Sequence, residues 1–173
     1  MNRSSRLVTA ALLLLLTLPL SAQEFSELRS RLEASAPSPA AGELLLEALR
    51  KAPTISEART ILSLHDSLVT TPRLRRAAYL ELGRIEELAG NFHGALAAYE
   101  TVLDVDPAAD AVRLRAAAAA IETGDFERAR GHSQYIIDSA RDGASQRRAA
   151  LYLGLAHLYQ DDRGSALPLF RSL

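Results

Sequence analysis

Four histidines, His65, His93, His132 and His157, are the residues of this 173-residue chain best suited to hold a metal or move a proton near neutral pH. No two of them stand at metal-ligand spacing with a third ligand nearby, so they read as packed or solvated side chains. His65-Asp66 beside any of the serines sketches a triad, yet nothing places a nucleophile on a strand-to-helix elbow. Gly90 and Gly94 have no strand before them and no lysine after them, which argues against a phosphate-cradling loop. The carboxylate pairs Glu86-Glu87 and Asp161-Asp162 read as surface charge. The absence of cysteine excludes thiol nucleophiles, disulfide frameworks, iron–sulfur clusters, Cys-based zinc sites and a bacterial lipoprotein anchor. The expectation is a protein with no catalytic residue, no cofactor, no metal and no small-molecule substrate.

Charge narrows the partners. The 20 Lys+Arg and 21 Asp+Glu alternate along the chain, without the basic patch that displaces counterions from nucleic acid. Arg113, Arg115, Arg128, Arg130, Arg147 and Arg148 lean basic, but Glu122, Asp125, Glu127, Asp138 and Asp142 interleave with them, so the stretch reads as a solvated face. At the start, Arg3 and Arg6 precede a weakly polar run from Leu7 to Leu20 with Leu12 to Leu16 at its centre, followed by Ser21-Ala22-Gln23-Glu24. This is the pattern of a secretory signal peptide, residues 1–22, cleaved after Ala22 although Leu20 is a less usual residue before the bond. The run falls short of the roughly 20 residues a membrane-spanning helix needs, so no permanent anchor is expected after cleavage. The mature chain is expected in the bacterial periplasm or outside the cell.

The elements behind these residues are helical. Apolar residues recur at spacings of three and four nearly everywhere, and alternating strand patterns are almost absent. Gly90-Asn91-Phe92-His93-Gly94-Ala95 and Gly124-Asp125-Phe126-Glu127-Arg128-Ala129 superimpose with an offset of 34 residues, the period of a helix–turn–helix array. The first unit also carries Tyr79-x-x-Leu82-Gly83, then Ala95-x-x-x-Tyr99, and closes at Asp106-Pro107. On these residues the chain resembles the tetratricopeptide repeat family. The second unit keeps Gly124, Phe126 and Ala129 but has Ala116-Ala117 in place of the Leu-Gly pair. The third returns with Leu153-Gly154 and Ala166-x-x-x-Phe170, and puts Asp161 and Arg163 where glycine and phenylalanine stood. Its spacing is three residues too long, and the excess fits a loop at Asp142-Gly143-Ala144-Ser145-Gln146.

The resemblance implies an all-α, right-handed α-solenoid over residues 73–173, in units 76–109, 110–146 and an incomplete 147–173. Residues 23–72 precede it as N-terminal helices, with patterns near Glu24–Ser35, Gly42–Lys51 and Ser56–Val69. They form either a worn half-repeat, with Leu45, Leu46, Ala58 and Leu62 near the repeat positions, or a capping hairpin. Gly83 and Gly154 are expected where the two helices of a unit cross closest, with Ala95, Ala129 and Ala166 facing them. Gly90 and Gly124 close first helices, and Asn91 and Asp125 cap second ones. Carrying over the register puts Leu80, Arg84, Glu87, Leu114, Ala118, Ile121, Leu151, Leu155 and Leu158 on a concave, mainly apolar groove suited to an amphipathic helix or an extended apolar peptide. The resemblance thus implies an exported scaffold that binds a protein or peptide partner. Two other expectations stand beside it: a self-assembly module pairing through Leu167, Leu169, Phe170 and Leu173, and the N-terminal part of a larger cell-envelope assembly or division factor.

Overall fold

The computed structural model describes residues 20–69, 71–139 and 142–173, so most of the expected signal peptide lies outside the described residues. Contacts divide the chain into two compact units between Thr70 and Thr71. The first holds α1 (Leu20–Glu33), α2 (Pro39–Lys51), α3 (Ile55–Leu64) and a short 3₁₀ turn (Asp66–Leu68). Helix α2 begins at Pro39, earlier than the apolar pattern indicates, because Ser38 Oγ accepts the Ala41 N–H and proline fits the first helical position. Thr54 caps α3 in the same way through the Glu57 N–H. Phe25, Leu28 and Leu32 of α1 are buried, as are Leu45, Leu46 and Leu49 of α2 and Ala58, Ile61 and Leu62 of α3. Lys51 ties α2 to Glu24 of α1 at 2.7 Å, an exposed pair.

The second unit is three helical hairpins in sequence: α4 (Pro72–Leu88) with α5 (Phe92–Val105), α6 (Asp110–Glu122) with α7 (Phe126–Ser139), and α8 (Gly143–Tyr159) with α9 (Arg163–Arg171). Each helix packs on the next, and α6 also packs on α8. Among the described residues there are nine α-helices and no strand. The residues expected to loop out at 142–146 instead start α8: Asp142 accepts the Ser145 N–H at 2.8 Å, and the helix begins at Gly143. The extra spacing is taken up by a longer helix because a capped helical turn satisfies backbone groups that a loop would leave to solvent.

All three hairpins turn alike. Gly90 and Gly124 sit at φ 73° and 75°, and Asp161 takes the same place at φ 63°. The amides that follow reach back to the helix, Asn91 to Glu86 O at 2.9 Å, Asp125 to Ala120 O at 2.8 Å and Asp162 to His157 O at 2.9 Å. That is the six-residue closure of a Schellman motif, and Asn91, Asp125 and Asp162 then cap the second helices. Left-handed backbone strains any residue with a Cβ. Asp161→Gly should therefore stabilise the chain by about 0.5 kcal/mol, whereas Gly124→Ala should cost about 1 kcal/mol. Urea midpoints moving in opposite directions would bear this out; equal shifts would not.

The close helix crossing is also as the spacing predicts. A Cβ on Gly83 would lie 2.7 Å from Tyr99 Cδ1, and one on Gly154 2.7 Å from Phe170 Cε1. Ala95 and Ala129 are fully buried and Ala166 nearly so. In the middle hairpin the positions 34 residues after Gly83 and Tyr99 are Ala117 and Ser133, both at 0% exposure. Tyr99, Val102, Val112, Ala116 and Ala120 form the heart of the core, with Tyr79, Phe92 and Phe126 packed partly buried against it. Leu82 is half-buried. Helix α5 stops at Val105, just before Pro107, whose carbonyl accepts from Arg113 Nη2 at 2.7 Å.

Candidate partner-binding concavity

The first helices of the hairpins line a depression of about 390 Å³ that opens to solvent. Ala111, Leu114, Arg115 and Ala118 recur at three- and four-residue spacing on one face of α6, and Ser145, Arg148 and Tyr152 on one face of α8. Glu87, near the end of α4, completes the lining. Leu114 is only 7% exposed and forms the floor.

Glu87 is held from two sides. Its Oε2 accepts from the Tyr99 hydroxyl of α5 and from Arg115 Nη1 of α6, the latter at 2.9 Å, so one carboxylate joins the first hairpin to the second. Burial, and then the bond to Glu87, push the Tyr99 hydroxyl well above the usual tyrosine range. Burial pulls the Arg115 guanidinium down, but its hydrogen bonds with Tyr99 and Glu87 hold it above its ordinary value. Arg148 is exposed at the edge of the same depression and has no ion pair among the described residues.

The expected groove residues distribute over several environments. Glu87, Leu114 and Ala118 line the depression. Leu80 and Ile121 pack against the core cluster. Arg84 is exposed and lies 3.6 Å from Glu81 one turn earlier. Leu151 and Leu158 are exposed and Leu155 half-buried, none of them among the lining residues. The lining is therefore mixed, which corrects the expectation of a mainly apolar groove. Arg115 beside Leu114, and Arg148 and Tyr152 on α8, line the concavity, whereas Leu151, Leu155 and Leu158 of α8 do not. The signal was present in the sequence as the spacing of Ala111, Leu114, Arg115 and Ala118, but which stripe of a helix faces inward depends on how the next helix is laid against it.

One further reading of charge is corrected. Glu86 is not surface charge: it is 1% exposed, accepts from Asn91 Nδ2 at 2.7 Å, and fills the space a Cβ on Gly94 would need. Asp161 and Asp162 are exposed, as expected, and Asp162 also caps α9 and bonds His157 Nδ1 at 3.1 Å. The arginines expected on a solvated face are mostly exposed, Arg115, Arg128, Arg147 and Arg148 among them, and some also have specific partners: Arg113 lies 3.7 Å over the Tyr135 ring and Arg128 reaches Glu100 at 3.2 Å.

His132 of α7 is half-buried beside the first hairpin, its side chain 14% exposed and its Nε2 3.6 Å from Glu100. Burial first, then Arg113 and Arg128, push its pKa from 6.5 down to about 4, while Asp125 opposes them. The folded chain thus keeps His132 neutral where the unfolded chain would protonate it. Its contribution is complete above pH 6.5 and is lost as pH falls towards about 4. The loss is at most roughly 3 kcal/mol, less in proportion as solvent screens the ring. Urea stability followed from pH 7 to pH 4 should fall less steeply in His132→Gln; parallel curves would contradict the assignment.

Among the described residues no three His, Asp or Glu gather as metal ligands, and no helix is long and apolar enough to cross a membrane. Stacked helical hairpins whose first helices line a shared concavity define a class, the helical-repeat scaffold. The tetratricopeptide repeat family model matches residues 88–151, from the end of α4 into α8. No curated protein matches the chain. Such repeats are typically non-enzymatic and commonly mediate protein–protein interaction.

Proposed function

We propose that this chain is an exported, non-enzymatic adaptor that holds a protein or peptide partner in the concavity between α6 and α8. The observation carrying the reading is the concavity itself. It is lined by consecutive first helices of repeats, and it combines an apolar floor at Leu114 with charged and aromatic rims at Arg115, Arg148 and Tyr152. Such a mixture suits peptide recognition, where apolar contact supplies affinity and a few polar groups set orientation. Export is supported by Arg3 and Arg6 ahead of the Leu7–Leu20 run and by the small residue at Ala22.

Ala118 sits half-buried on the concave face of α6. Ala118→Arg should abolish partner capture from an envelope extract while circular dichroism stays that of the wild type. Capture undiminished in a folded Ala118→Arg chain would rule out the concavity as the binding surface.

A second reading, self-association, draws on the outer side of the last hairpin, where Leu167 and Leu173 are 52% and 49% exposed. Of the residues first assigned to that surface, Phe170 is packed against Gly154 within its own hairpin. Light-scattering mass across a concentration series separates this reading from the adaptor.

A further inference from the structure

We infer that Gln23 becomes a modification site once it is the first residue, its amine closing on its own side chain to a neutral five-membered lactam that starts α1. This rests on the export reading, which removes residues 1–22, and adds the chemistry of the end so created. Glutamine at a free N-terminus reacts in this way without a co-reactant. The α-amine nitrogen attacks the side-chain Cδ and forms a ring amide. The bond from Cδ to the side-chain nitrogen breaks, and that nitrogen leaves as ammonia with the proton the amine gives up. An α-amine has a pKa of about 8, so part of it is unprotonated and nucleophilic near neutral pH.

The fold around this position favours the closed form. Helix α1 runs through it, over Leu20–Glu33, and the buried Phe25, Leu28 and Leu32 anchor the helix just beyond. A free ammonium on Gln23 would stand at the positive end of the helix dipole, where a cation is destabilising. The adjacent carboxylate offers it little, because Glu24 already meets Lys51 Nζ at 2.7 Å. The lactam removes the charge altogether. Its ring closes on the backbone nitrogen as that of proline does, and proline opens two other helices of this chain, α2 at Pro39 and α4 at Pro72.

Lys51 is the only lysine, so a mature chain with a closed end carries one amine and an open one carries two. The test is to produce the full chain in an exporting bacterial host, recover it from the envelope, and measure intact mass and amine-reactive labelling under denaturing conditions. The expected result is a chain beginning at position 23, lighter by one ammonia than its sequence requires, that takes a single label. Gln23→Asn, one methylene too short to close the same ring, should begin at the same place, keep its full mass and take two labels. The first-turn amides of α1 should exchange with solvent about two- to fivefold faster in that variant. Equal exchange would overturn the lactam as a stabiliser of the helix. A chain beginning at Gln23 that keeps its ammonia and takes two labels would overturn the lactam and leave export standing. A chain still carrying residues 1–22, or beginning elsewhere, would overturn both the lactam and the processing on which it rests.

Discussion

Truncating Tyr99 to alanine is expected to cost the repeat unit about 3–5 kcal/mol. The ring is fully buried in α5, lies against Gly83 of α4 and belongs to the core cluster with Val102, Val112 and Ala116. Its removal leaves a cavity that the neighbouring helices fill only partly, because Gly83 has no side chain to advance into the space. The hydroxyl adds a separate term, since it donates to Glu87. Tyr99→Phe should keep the ring and lose only that bond, at about 1 kcal/mol, as Arg115 still holds the carboxylate. Urea denaturation of the two variants beside wild type checks both values. A Tyr99→Ala midpoint equal to that of Tyr99→Phe would mean the ring contributes nothing by packing.

Arginine at position 95 should be more damaging still. Ala95 is at 0% exposure one turn into α5, within the core cluster that contains Tyr99 and Ala129. A guanidinium placed there must either be desolvated without partners or force the helices apart, and we expect about 4 kcal/mol of destabilisation or more. Ala97, exposed on the same helix, provides the control, because Ala97→Arg should lie within about 0.5 kcal/mol of wild type. Thermal melts of the pair separate a core face from a solvent face. Similar melting points would show that the helix presents a different face to its neighbours.

Much of the fold was legible because it rests on local rules. Gly90 and Gly124 mark turns that need positive φ, Asn91 and Asp125 mark caps, and the pairs Gly83–Tyr99 and Gly154–Phe170 mark crossings too close for two full side chains. The third turn was harder to read, because aspartate reaches the left-handed region less readily than glycine and so signals it less clearly. The loop expected at 142–146 became helix because Asp142 offers a cap that periodicity alone does not reveal. The concavity was legible only as a neighbourhood. Glu87, Leu114 and Ala118 were placed on it by register, whereas Arg115, Arg148 and Tyr152 were not, although they come from the same helices.

That difference has a physical origin. Helix, turn and cap depend on the backbone preferences of residues within a few positions of one another, so the sequence by itself determined the helical repeat, its period, and the small and aromatic residues at its crossings. Which stripe of each first helix faces the shared surface depends instead on the rotation and spacing of helices separated by some thirty residues, as does the pairing of any charge across them. Only the tertiary structure decided that Glu86 is buried, that Glu87 joins Tyr99 to Arg115, and that Arg148 faces the concavity without a counter-charge.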